Sequence, residues 1–158
     1  MRYLVLLVLL AACSSAPHEE DVKALQGAAD KLVLDQVKIE DALDKEEAWL
    51  EAGKRRELDA YAEKHEAAPV ERLQKIVTAT RALEDLRGVF RRERETAARV
   101  SAVTTVGEDE DAVWYELDAL RVALKADQKN EKIALDRWHK ARAALGAEAF
   151  GEKPAPPK

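Results

Sequence analysis

Apolar residues recur along most of this chain in steps of three and four, the spacing that puts them on one stripe of a helix. The first such run carries Val22, Leu25, Ala29, Leu32, Ile39, Leu43 and Leu50, with Gln36 and Glu46 as polar interruptions. Alternating steps of this kind make the seam of a coiled coil. Past Gly53 the spacing shifts, with Leu58, Tyr61 and His65 continuing the face. Such a shift reads as a stutter, which locally changes the supercoil. Pro17 suits a first helical position, and Glu19, Glu20 and Asp21 follow where acids favour the positive helix end. The pattern predicts a helix over about 17–66, with a bend near Gly53.

Pro69 ends that run and opens the next, with Glu71 in its first turn. The second seam carries Leu73, Ile76, Val77, Thr80, Leu83, Leu86, Phe90, Ala97 and Val100, predicting a helix over about 69–106. Its end, VSAVTTVG, is β-branched and also reads as a strand, but no second strand candidate exists to pair with it. A weak last turn stopped by Gly107 is the preferred reading. The third seam is the most regular: Val113, Leu117, Leu120, Leu124, then Asp127 and Glu131, then Ala134, Trp138, Ala141 and Leu145. It predicts a helix over about 108–148. The remaining residues, 150–158, are proline-rich and favour extended backbone. Three long amphipathic helices with short links predict an all-α, elongated, antiparallel three-helix bundle or coiled coil over 17–149. A monomer has seam enough to stand alone; burial of a seam in a homo-oligomer is the alternative. The first helix is long enough to overhang the others and offer a docking surface.

The first twelve residues break this pattern. Met1 and Arg2 precede an unbroken apolar run, Tyr3 to Ala12. One positive charge before a short apolar segment is the pattern of a secretory signal peptide, and the run is short of the roughly 20 residues needed to span a bilayer. Leu10-Ala11-Ala12-Cys13 resembles the lipobox of bacterial lipoproteins: an aliphatic residue, two small residues, then cysteine. The resemblance implies a signal peptide over 1–12, cleavage before Cys13, and a short lipidated linker over 13–16. It further implies a thioether-linked diacylglycerol and an amide-linked acyl chain, palmitate-like, on Cys13, with no other cofactor. Ser14 in place of aspartate implies outer-membrane sorting, facing the periplasm. Since one myristoyl chain gives only reversible binding, two or three chains imply stable anchoring.

Removal of residues 1–12 leaves 25 basic against 31 acidic side chains, because Arg2 departs with the signal. A mildly acidic chain has no general attraction for nucleic acid. With Cys13 the only cysteine, no disulfide is expected, and stability rests on packing. The only methionine is Met1, which excludes a methionine-rich adaptable groove.

Candidate chemistry is sparse. Glu108, Asp109, Glu110 and Asp111 offer carboxylates to a hard cation, but four acids at a helix start are already explained by the macrodipole. No metal is expected. His18, His65 and His139 lack ligand spacing. Asp127 and Glu131, if buried on the seam, need partners, which Arg87 or Arg94 on the second helix supply; the layer then fixes register or holds acids of raised pKa. Trp138 is expected in the core. Trp114 lies off the seam beside Tyr115, and this pair is the candidate partner contact, with core packing at the bundle end as the plainer reading. GKRRE at 53–57 and RRER at 91–94 are basic, diluted by flanking acids, and read as solvated helix faces. No phosphate loop, nucleophile elbow or dinucleotide fingerprint is present, so an enzyme is not expected.

A helical lipoprotein ending in lysine is similar to the Braun-type outer-membrane lipoproteins, through Cys13 and Lys158. That similarity implies peptidoglycan attachment at Lys158. The departures are that family's much shorter single helix and the PAPPK ending here. The sequence therefore leads to a lipid-anchored envelope protein acting as a spacer, scaffold or docking module. Its expected partners are the membrane and an unidentified envelope protein or a second copy. The alternative is a periplasm-facing binding protein, such as a helical chaperone or an accessory subunit of a transport or secretion complex.

Overall fold

A computed structural model describes residues 18–64, 70–104 and 109–146. The assignments made to Leu10, Ala11, Ala12, Cys13, Pro17, His65, Pro69, Gly107, Glu108 and Lys158 lie outside the described residues. The chain is an all-α bundle of three helices: α1 Glu19–Lys64, α2 Val70–Ala102 and α3 Glu110–Ala144. At 1.5 Å per residue they are about 69, 50 and 52 Å long. Neighbours in sequence run antiparallel, so α1 and α3 are parallel. α2 packs closely on both, whereas the α1 and α3 backbones approach each other only sparsely.

The ends differ from the pattern for local reasons. His18 takes a left-handed backbone, φ 66°, so α1 starts at Glu19. The His18 carbonyl accepts the first helical hydrogen bond from the Val22 N–H at 2.9 Å. α2 ends at Ala102, before 106, as the chain enters the β-branched pair Val103-Thr104. The strand alternative fails at Val100–Ala102, which are helical. α3 ends at Ala144, before 148: Gly146 adopts φ 74° and its N–H bonds back to the Ala143 carbonyl, a left-handed stop that glycine makes without steric cost.

The stutter in α1 is absent. Val22, Leu25, Ala29, Gln36, Leu43, Glu46, Leu50, Gly53 and Glu57 are buried, and Leu32 and Ile39 are half-buried. These eleven positions continue the three-four alternation unbroken to Glu57. Leu58 and Tyr61, expected to carry the face onward, are 44% and 45% exposed. Apolarity alone suggested those two; the register instead selects a glycine and a glutamate. α2 is broader than expected. Ile76, Ala79, Leu83, Leu86, Phe90, Glu93, Ala97 and Val100 form one stripe, and Ala82, Val89 and Thr96 form an adjoining row. The central helix must face two partners, which explains the second row. Val77, by contrast, is 40% exposed. α3 follows its seam, with Val113, Leu117, Leu120, Leu124, Ala134, Trp138 and Leu145 buried.

The core is divided. One apolar block gathers Leu43, Trp49, Leu50, Leu83, Phe90 and Trp138; the other gathers Val22, Ala29, Val100, Val113, Leu117 and Leu120. Between them lies a polar layer built from Gln36, Glu93 and Thr96, with Asp127 and Glu131 at its edge.

The three helices end unevenly. Arg142 bonds Glu46, and Leu145 packs in the block that holds Trp49 and Leu50. Among the described residues, the last 14 residues of α1 therefore pass the end of α3 and pair with the start of α2 alone. Buried Glu57 ties this two-helix extension by an ion pair to Arg72 at 3.1 Å.

Candidate functional site: the buried acid layer and the helix-start end

Glu93 is fully buried. Its Oε2 accepts a hydrogen bond from Gln36 Nε2, while Oε1 meets no partner among the described residues. Gln36 Oε1 in turn accepts from Arg94 Nε at 3.2 Å, and Arg94 also pairs with Glu40. On the α3 side, Thr96 Oγ1 donates to Asp127 Oδ2 at 2.8 Å. Burial pushes the Glu93 carboxyl up to about 7, helped by the charges of Glu131 and Asp127; the Gln36 hydrogen bond and Arg92 pull the other way. Burial also raises Glu131. The one hydroxyl in this layer among the described residues, that of Thr96, is engaged with Asp127. Among the described residues no group of three or more His, Cys, Asp or Glu side chains is placed to hold a metal ion.

The expected partners of this layer were different. Arg87 does not meet Asp127 or Glu131; it reaches α1, pairing with Asp44 at 2.7 Å and Glu47 at 2.9 Å. Arg94 likewise turns to Gln36 and Glu40 on α1. The hydroxyl of Thr96 serves Asp127 instead. Sequence reasoning missed Glu93 because it is charged, although it lies one heptad after Leu86 and one before Val100.

The second feature is the end where α1 and α3 both begin. His18 Nδ1 lies 3.6 Å from Asp21 and its Nε2 lies 3.9 Å from Glu110. Arg121 donates to Asp21 at 2.5 Å. Asp109 caps α3, its Oδ1 accepting from the Asp111 N–H at 3.2 Å. The acids 109–111 thus serve the helix start, as capping and macrodipole arguments require. Trp114 and Tyr115 lie one turn further on. They are 46% and 68% exposed, in an edge-to-face pair with centroids 5.2 Å apart. The plainer reading, core packing, does not describe them.

The three tryptophans do not share a surface. Trp138 and Trp49 are buried in the opposite block. His139 is exposed and its ring lies 4.7 Å from that of Trp138. The basic clusters are mixed: Gly53, Glu57 and Glu93 are buried, Lys54 pairs with Glu51, and Arg94 pairs with Glu40. The α1–α2 extension leaves Leu58, Tyr61, Val70 and Val77 partly exposed. No helix among the described residues is long and apolar enough to cross a membrane. No family model, curated protein or solved structure matches this chain.

Proposed function

We propose that this protein is a lipid-anchored rod of the bacterial envelope, a spacer or scaffold whose far end is a docking module. The observation that carries the reading is the relation between the lipobox-like sequence and the bundle. Cys13 lies five residues before His18, at the end where α1 begins. With three helices, the described chain leaves α3 at Gly146, at the level of Leu50 and about 45 Å along the rod. The described chain therefore enters the bundle at His18 and leaves it at Gly146, well along the rod from the entry point. That arrangement suits holding one thing at a membrane and meeting another away from it.

The role is mechanical rather than enzymatic, with no cofactor beyond the lipid on Cys13 and no nucleic-acid partner. The α1–α2 extension, with Leu58, Tyr61, Val70 and Val77 partly exposed, supports docking of an envelope protein at the distal end. Attachment of peptidoglycan to Lys158 is compatible with the same polarity.

The test is the intact mass and partition of the chain produced in a bacterium. The expected product lacks residues 1–12, carries lipid on Cys13 and fractionates with outer membrane. Cys13→Ala is expected to abolish the lipid mass and the membrane partition while leaving the helical content unchanged. A mature chain with a bare cysteine, or one found in the soluble fraction after normal export, overturns the reading.

A further inference from the structure

We infer that Trp114 and Tyr115 form a membrane-contacting foot, resting in the headgroup zone of a zwitterionic bilayer beside the acylated Cys13. This rests on the anchored-rod reading above.

Three observations converge on the pair. The first is position. Glu110 and Arg121 of α3 reach His18 and Asp21 of α1, and Trp114 lies between them on the same helical stripe, four residues after Glu110 and seven before Arg121. Trp114 is therefore on the flank of α3 beside the first turn of α1. The second is reach. Five residue steps lead from Cys13 to His18, a span of at most about 17 Å, and Trp114 is about 6 Å along α3 from Glu110. A tether at Cys13 thus keeps both rings close to the lipid surface. The third is chemistry. Trp and Tyr are the residues enriched at membrane–water interfaces, where an apolar body and a polar tip are both satisfied. Both are open to solvent here, and Val122, 60% exposed and one heptad beyond Tyr115, extends the apolar strip.

Charge selects the lipid. Glu19, Glu20, Asp21, Glu110 and Asp111 crowd this end, outnumbering Lys23, Arg99 and Arg121. An acidic foot is repelled by an anionic surface and tolerated by a zwitterionic one.

The three tryptophans provide the test. Trp49 lies about 46 Å along α1 from His18, and Trp138 about 36 Å beyond Trp114 along α3. Full-length lipidated protein is placed in phosphatidylcholine vesicles whose acyl chains are brominated near the headgroup, and tryptophan emission is recorded for the wild type and for Trp114→Phe. Flotation is measured on the same samples. The expected result is that both proteins float, and that the wild type loses the emission carried by one tryptophan of its three while Trp114→Phe loses none. Exchange of part of the lipid for an anionic one is expected to reduce the quenching. Flotation with equal, negligible quenching in both proteins overturns the foot and leaves the anchor standing. Failure of the wild type to float overturns both. Concentration-dependent burial of Trp114 without lipid quenching assigns the pair to a second copy instead and also overturns the proposal.

Discussion

Arg142 grips Glu46 across the widest helix pair of the bundle. Its Nε lies 2.9 Å from each carboxylate oxygen and its Nη2 donates to Oε1 at 2.5 Å. Glu46 is fully buried and Arg142 nearly so, with the guanidinium 5.6 Å from the centre of the Trp138 ring. Where the α1 and α3 backbones stand apart, this forked contact bridges them. A glutamate on the α1 seam is tolerated because its charge is answered inside the same layer.

Removing one partner is therefore expected to cost more than removing both. Arg142→Ala leaves the buried Glu46 carboxylate without its guanidinium, and Glu46→Ala takes the carboxylate from a nearly buried guanidinium, each at about 3–5 kcal/mol. The paired replacement Glu46→Leu with Arg142→Met is expected to be neutral or stabilising. Urea unfolding of the four proteins checks this. Single variants within experimental error of the wild type would show that the pair is solvated.

The Glu93 layer makes stability fall as pH rises. Below the ordinary glutamate value of 4.5 the carboxyl is protonated in folded and unfolded chains alike, and its contribution is wholly present. Between 4.5 and about 7 the unfolded chain releases the proton while the folded one keeps it, so stability is lost progressively. The loss is complete above that window and amounts to about 3 kcal/mol. Asp35, Asp41 and Glu71 are held low by lysine partners and titrate below this range. Glu93→Gln is expected to flatten the urea midpoint between about pH 5 and pH 8, leaving the smaller, same-signed contribution of Glu131. A variant that keeps the wild-type slope assigns the dependence to other groups.

Two leucines eight residues apart on α1 separate the observed register from a stuttered one. Leu50 is 2% exposed and Leu58 is 44% exposed. Leu50→Ala is expected to cost about 2–5 kcal/mol, and Leu58→Ala under about 1 kcal/mol. Equal costs, read from thermal or urea unfolding, would place Leu58 in the core and restore the stutter.

Helix-forming composition and a three-four apolar alternation determined by themselves that the chain is three helices folded back on one another. They also placed Val113 through Leu145 and Val22 through Leu50 in the core, because a periodic stripe must be buried somewhere. The tertiary structure decided what periodicity does not encode. It set how far α3 extends along α1, and so which residues past Leu50 have anything to pack against. It gave α2 two partners and hence two buried rows, bringing Ala82, Val89 and Thr96 inside. It also chose which arginine answers which acid: Arg142 for Glu46, Arg87 and Arg94 for the outer acids of α1, and a threonine hydroxyl for Asp127. A sequence states which positions share a face; only the angular placement of three rods says which faces meet. Pairing of charges depends on that second quantity alone.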